Sequence, residues 1–260
     1  MVNISKHIPM KLTKLLLEYP GALTPRPKDE WDKNQEDIKK RRDPNLAVQQ
    51  YIKNGSEGRL NLGLFSSFDP DLLFSLPDNL TVNGDLVLEY CKNIKELPRY
   101  LVVKGSLNIS WSGVEEVPAD IYIGGTLEAR SSAIKYLPKS LSLGRAYGSA
   151  GTLSLHEANY LEELPSFLRV PGMLDIQGTL VKALPDDIKV GGTINAANSD
   201  LEYIPDNLTV KGSFNLYGTK IKEIPNNLKV TNFLHLADTP LARKYTREEV
   251  RSILEEKGGY

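Results

Sequence analysis

Cysteine is almost absent from this sequence: Cys91 is the only one in 260 residues. A disulfide framework is excluded, and so is any metal site built on several thiolates. Histidine is nearly as scarce, with only His7, His156 and His235. An excess of one charge is missing too. The chain carries 32 Lys+Arg and 33 Asp+Glu, a formal net charge of −1, so no bulk field draws it toward nucleic acid or an anionic membrane. Aliphatic runs stop at three residues, as at 15–17 and 101–103, far short of the roughly 20 that a bilayer-spanning helix needs. The opening MVNISKHIPMKLTK shows no apolar core of a secretory signal. What remains is an ordinary soluble composition, 40% hydrophobic and 25% charged, too apolar for a disordered chain.

What the sequence has in abundance is repetition. A Leu/Ile/Val-Pro pair recurs with its proline at Pro77, Pro98, Pro118, Pro138, Pro165, Pro185, Pro205 and Pro225, and five of the seven intervals are twenty residues. The segment IPDNLTVKGSFNLYGTKIKEIP (204–225) displays the unit. Leu208 and Val210 alternate, Gly212 follows, Phe214 and Leu216 alternate again, and Thr219, Ile221 and Ile224 complete it. Residues two apart on a strand share a face, so Phe214 and Leu216 point the same way. A single unit has no second layer to bury them against. Stacked on like neighbours, the same positions become a continuous core. The glycines at 84, 105, 125, 172, 192 and 212 separate the two alternating runs and are expected to supply a turn that side chains would obstruct.

The frame from Phe214 to Pro225 resembles the leucine-rich-repeat core LxxLxLxxNxLxxLP in its short, roughly twenty-residue bacterial and phage form. The resemblance covers residues 60–241, and eightfold repetition makes it specific. It implies a repeat solenoid: a leucine-rich-repeat arc with a short-strand parallel sheet on its concave face. The strand positions are Leu86/Leu88, Leu107/Ile109, Leu127/Ala129, Leu153/Leu155, Leu174/Ile176, Ile194/Ala196, Phe214/Leu216 and Leu234/Leu236, with a degenerate ninth at Leu60/Leu62. The family's buried asparagine is replaced by Ser112, Ser132, Thr179, Ser199, Thr219 and Thr239. A hydroxyl can both donate and accept, so these are expected to form a ladder bridging backbone groups between turns, with Cys91 buried in an equivalent slot.

Three regions follow: an N-terminal helical cap or appendage over 1–58, the solenoid over 59–241, and a C-terminal capping helix over 242–260. Short amphipathic helices are expected at 8–18 and 44–53, and a charged helix around Trp31 and Ile38 at 28–42. The basic run Lys39-Lys40-Arg41-Arg42 is flanked by acidic residues and suits a helix C-terminus. At the other end, Thr246 and Glu249 form a capping-box signature with Val250, Ile253 and Leu254 on one face. The fourth repeat carries six extra residues within SLGRAYGSAGT, a loop that includes Arg145 and Tyr147.

No catalytic constellation is legible. His156 and His235 lie four repeats apart, and His156 and Glu157, as neighbours on a strand, should point to opposite faces unless the strand has ended there. GRAYGSAG lacks the Lys-Ser/Thr ending of a phosphate loop. The expectation is therefore a non-enzymatic protein-binding module, a phage- or bacterium-encoded inhibitor or adaptor of a cellular protein, working in the cytoplasm without a cofactor. The alternative is a structural or assembly component, for instance of a virion, with nucleic-acid binding further behind. Binding would fall on the outward column Val87, Asn108, Glu128, Ser154, Asp175, Asn195, Asn215, His235 and the next one, Glu89, Ser110, Arg130, His156, Gln177, Ala197, Tyr217, Ala237. Trp111 stands at its edge. The candidate partner-binding residues are Trp111, Tyr217, Arg130, Glu128, His156, Asp175, Asn195 and Asn215, with Arg145 and Tyr147 in the insertion.

Overall fold

The computed structural model describes residues 28–144, 146–148 and 150–259. The chain divides into two compact units, 1–41 and 42–260. In the first, helix α1 spans Lys28–Arg41; the helix expected at 8–18 lies outside the described residues. The second unit is a parallel β-solenoid in which each coil contributes one two-residue strand to a nine-stranded sheet. That sheet begins at Leu60–Asn61 and ends at Leu234–His235, and every neighbouring pair is parallel. All nine strands fall at the sequence-expected positions, with Leu174, for example, opposite Leu153 and Ile194.

Stacking turns the repeat into a core. Leu62, Leu88, Ile109, Ala129, Leu155, Ile176 and Ala196, second members of the strand pairs, are fully buried, as are the first members Leu86, Leu107, Leu127, Leu153, Leu174, Ile194 and Phe214. The other alternating run also forms strands, which the repeat pattern left unassigned. Thr81–Val82, Val102–Val103 and Tyr122–Ile123 make a three-stranded sheet, and Arg169–Val170, Lys189–Val190, Thr209–Val210 and Lys229–Val230 a four-stranded one. The six-residue insertion interrupts what would otherwise be a single ladder. Among the described residues, the isolated bridges Ile123 to Leu143 and Ser142 to Arg169 cross the gap.

One sequence expectation about small residues holds and one needs correction. The glycine column does sit at the bend between the two alternating runs, and a side chain there would collide with the neighbouring coil. Gly105 donates its N–H to Gly84 O at 2.9 Å, and a Cβ at Gly105 would sit 2.7 Å from the Gly84 carbonyl carbon. The hydroxyl column, in turn, does not bridge coils. Each hydroxyl donates to the carbonyl three residues earlier in its own coil: Ser112 to Ile109, Thr179 to Ile176, Thr219 to Leu216, at 2.6–2.8 Å. The chain bends sharply there, and the hydroxyl and the backbone N–H of the same residue both donate to that carbonyl. Cys91 does occupy the same slot, fully buried, with its thiol donating to Leu62 O at 3.6 Å. Burial pushes that thiol up to about 12, and nearby Asp71 adds to the shift. The same burial disfavours the thiolate at this position.

The ends are closed differently from the middle. Helix α2, Pro44–Lys53, starts at Asp43, whose carboxylate accepts from Asn45 N, and it buries Pro44, Ala47 and Val48. It belongs to the same compact unit as the solenoid, which begins at residue 42. At the far end, Thr239 still donates to Leu236 O and also caps helix α3, Pro240–Lys244. Helix α4, Arg247–Glu256, begins with the expected capping box between Thr246 and Glu249. Its Val250, Ile253 and Leu254 pack against the core from a half-buried position.

Placing α2 inside the solenoid unit gives a test by nested truncation. A chain lacking residues 1–58 should melt several degrees below one lacking 1–41. It loses two buried apolar side chains from the core, worth about 1–3 kcal/mol together. Equal melting temperatures for the two truncations would show that α2 caps nothing.

Candidate protein-binding face

Parallel stacking puts equivalent residues of successive coils side by side, so the outward positions of the nine-stranded sheet form continuous columns. The column from Val87 through Asn108, Glu128, Ser154, Asp175, Asn195 and Asn215 to His235 is in unbroken register. It is not a free polar surface throughout. Val87 and Ser154 are buried, and Asp175 is only 7% exposed.

A side-chain rail explains that burial. Asn215 donates through Nδ2 to Asn195 Oδ1, and Asn195 donates to both Asp175 Oδ1 and Gln177 Oε1, each at 3.0 Å. The oxygens of Asn108, Asp175 and Asn215 also accept from the backbone N–H two residues on, closing the turn where the strand ends. Asp175, Asn195 and Asn215 thus hold coils together, and Asp175 has little surface left for a partner. Arg130 donates through Nε to Ser154 Oγ at 3.1 Å and lies 3.4 Å from Glu128. Both remain about a third or more exposed at their side chains.

The turn after each strand holds the feature that the sequence concealed. Tyr90, Trp111, Ser131, Glu157, Gly178, Asn198, Gly218 and Asp238 occupy equivalent places, and every one has a positive φ, from 47° to 69°. Glycine, asparagine and aspartate take that conformation readily; a bulky aromatic rarely does. It also decides the reading of His156 and Glu157, because the strand has ended before them. The strand ends at Ser154, Glu157 turns back with φ 56°, and its Oε1 comes within 3.6 Å of His156 Nε2. His156 Nδ1 is 3.9 Å from Asp175 Oδ2.

Trp111 and Tyr90 stack on one another from adjacent coils, ring centroids 5.1 Å apart and planes 7° from parallel, and Trp111 stays 38% exposed. Toward the other end, Tyr217 is 37% exposed and lies 5.7 Å from the ring of His235. The Asp238 carboxylate holds the Tyr217 hydroxyl above the usual phenol range. Of the insertion candidates, Arg145 lies outside the described residues. Tyr147 falls in the 3-10 turn Ala146–Gly148.

The nine-stranded side presents Asp85, Glu89, Glu128, Glu157 and Asp238, with the nearly buried Asp175, against Arg59 and Arg130. The outward strand positions of the other sheets include exposed Arg169, Lys189 and Lys229, with Asp186, Asp187 and Asp206 beside them. Among the described residues there is no cluster of three His, Cys, Asp or Glu side chains able to hold a metal ion. No helix among them is long and apolar enough to cross a membrane. No protein-family model matches the chain, and no curated protein is similar to it in sequence.

Proposed function

We propose that this chain is a non-enzymatic protein-binding module, a short-type leucine-rich-repeat protein that engages a cellular protein through the outward face of its nine-stranded sheet. The twenty-residue period with its Leu/Ile-Pro pairs supports the family reading. One observation carries the binding reading: Tyr90 and Trp111 are held in a left-handed backbone conformation, stacked and part-exposed, where the other coils place small or polar residues. Backbone strain of this kind costs of order 1–3 kcal/mol per residue and is retained where the displayed side chain has a use. Large aromatics flanked by charged residues are the typical anchors of protein interfaces. A phage or bacterial inhibitor or adaptor acting in the cytoplasm fits such a surface, since outward residues vary along a solenoid at little cost to its core.

The test is capture of a partner on the immobilised full chain, followed by affinity measurement with variants. Trp111→Ala combined with Tyr217→Ala should weaken capture about thirtyfold or more. Melting should stay within a few degrees, because neither ring belongs to the core. Arg145→Ala with Tyr147→Ala is the control. Should the control pair abolish capture while the face pair leaves it intact, the insertion is the binding site and the sheet face is not.

A further inference from the structure

We infer that the sheet face contains an arginine receptor: a slot one coil wide between the free face of Trp111 and the carboxylate of Glu157, with Ser131 as its floor. The inference rests on the protein-binding reading and names the chemistry of the partner. The coils fix the order Tyr90, Trp111, Ser131, Glu157, because Tyr90 N donates to Ser110 O, Trp111 N to Arg130 O and Ser131 N to His156 O. Tyr90 covers one face of the indole in a near-parallel stack. The other face therefore looks along the solenoid over Ser131, a side chain too small to reach it. Two coils span roughly 10 Å at strand spacing. Beyond Ser131 stands Glu157, its Oε2 accepting from Ser131 Oγ at 3.2 Å and its side chain 59% exposed.

A flat cation stacked on the indole at about 3.5–4 Å would rest above Ser131 with a carboxylate within reach on its far side. Guanidinium fits better than ammonium: it is planar, weakly hydrated, and offers paired N–H donors to a carboxylate while its face lies on an aromatic ring. The chain does not fill the slot itself. Arg130 is turned away toward Ser154 and Glu128. Among the described residues the one cation over an aromatic ring is Lys244, over Tyr245. The acidic excess on this side, six carboxylates against Arg59 and Arg130, favours approach of a basic segment.

The experiment uses the full chain with Trp31→Phe, which leaves Trp111 as the sole tryptophan. Its fluorescence is followed while the blocked peptide Gly-Arg-Gly-Ser-Arg-Gly is added, then the lysine and glutamate analogues. The arginine peptide should give saturable change that weakens with salt, the lysine peptide should bind several-fold more weakly, and the glutamate peptide should not bind. Glu157→Gln should weaken arginine-peptide binding about tenfold. Ser131→Tyr extends the aromatic stack and closes the slot; it should abolish binding while the chain stays folded, with melting lowered by a few degrees at most, since this turn already accommodates Tyr90 and Trp111. Equal binding of all three peptides, or none by the arginine peptide, overturns the inference. So does a response that Glu157→Gln and Ser131→Tyr leave unchanged. The two readings fail separately. If a captured protein depends on Trp111 and Tyr217 but not on Glu157 or Ser131, the slot is wrong and the binding face stands. If nothing depends on Trp111 or Tyr217, the face itself is wrong.

Discussion

Leu174→Asp is expected to split the solenoid. Leu174 is fully buried, opposite Leu153 on one side and Ile194 on the other, and its N–H donates to Thr193 O. An aspartate there has no partner. It must either ionise in an apolar column or take up a proton at a pKa raised by burial, and the loss should be at least about 4 kcal/mol. Its position sets the form of the failure. Coils contact only their neighbours, so stability in a solenoid is close to a sum of unit and interface contributions. Leu174 adjoins the coil that carries the insertion, where the second ladder has already dwindled to two bridges. Circular dichroism and urea titration should therefore show two transitions in place of one, with the earlier involving this seam. Leu174→Ile, which keeps the volume, should cost less than about 1.5 kcal/mol. A single wild-type-like melt for the aspartate variant would refute the stacked frame.

That frame was legible in the sequence because stacking leaves a period. Leu174 was assignable to a strand from the twenty-residue spacing alone, and so were its partners Leu153 and Ile194. The capping box at Thr246 and Glu249 was equally legible, since it depends on local chemistry over four residues. Interactions between coils were harder to read. The hydroxyls of Ser112 and Thr219 sat in the right column, yet their choice of an acceptor inside the same coil depends on the sharpness of a bend. In the sequence alone, Asp175, Asn195 and Asn215 read as separate surface residues. Only coil stacking shows that these side chains bond to each other and bury the aspartate. The left-handed turn did leave a trace: Gly178, Asn198, Gly218 and Asp238 are residue types that accept positive φ. Tyr90, Trp111 and Glu157 in the same column obscured it. Those exceptions to the turn's usual chemistry coincide with the proposed site, as expected where function overrides local preference.

Removal of residues 246–260 should leave the solenoid folded but open at its last coil, and the exposed end should associate. Val250, Ile253 and Leu254 of α4 are half-buried against the core, and Val230, Leu234 and Leu236 of the last coil are themselves only partly covered. Losing three half-buried aliphatic side chains costs about 2–4 kcal/mol. The polar ties go as well: Asn227 N donates to Lys257 O at 2.8 Å, and Lys257 Nζ to Ile224 O at 2.6 Å. The larger consequence concerns the edges. Lys229–Val230 and Leu234–His235 are the terminal strands of their sheets, and Phe233 beside them is already 76% exposed. A terminal strand beside newly bared apolar surface is a template for another chain. Light scattering should therefore show oligomers that grow with protein concentration, while the intact chain at the same concentrations shows none of that growth. Acid should mimic the deletion in part. The backbone N–H and hydroxyl of Thr246 hold the Glu249 carboxyl below the usual carboxylate range. Its contribution is thus present above the unfolded value near 4.5 and fades as pH falls through the lower folded value. Glu249→Gln should flatten that part of the acid dependence. A truncated chain that stays monomeric and melts as the intact one does would show that α4 is an appendage and that the last coil needs no cap.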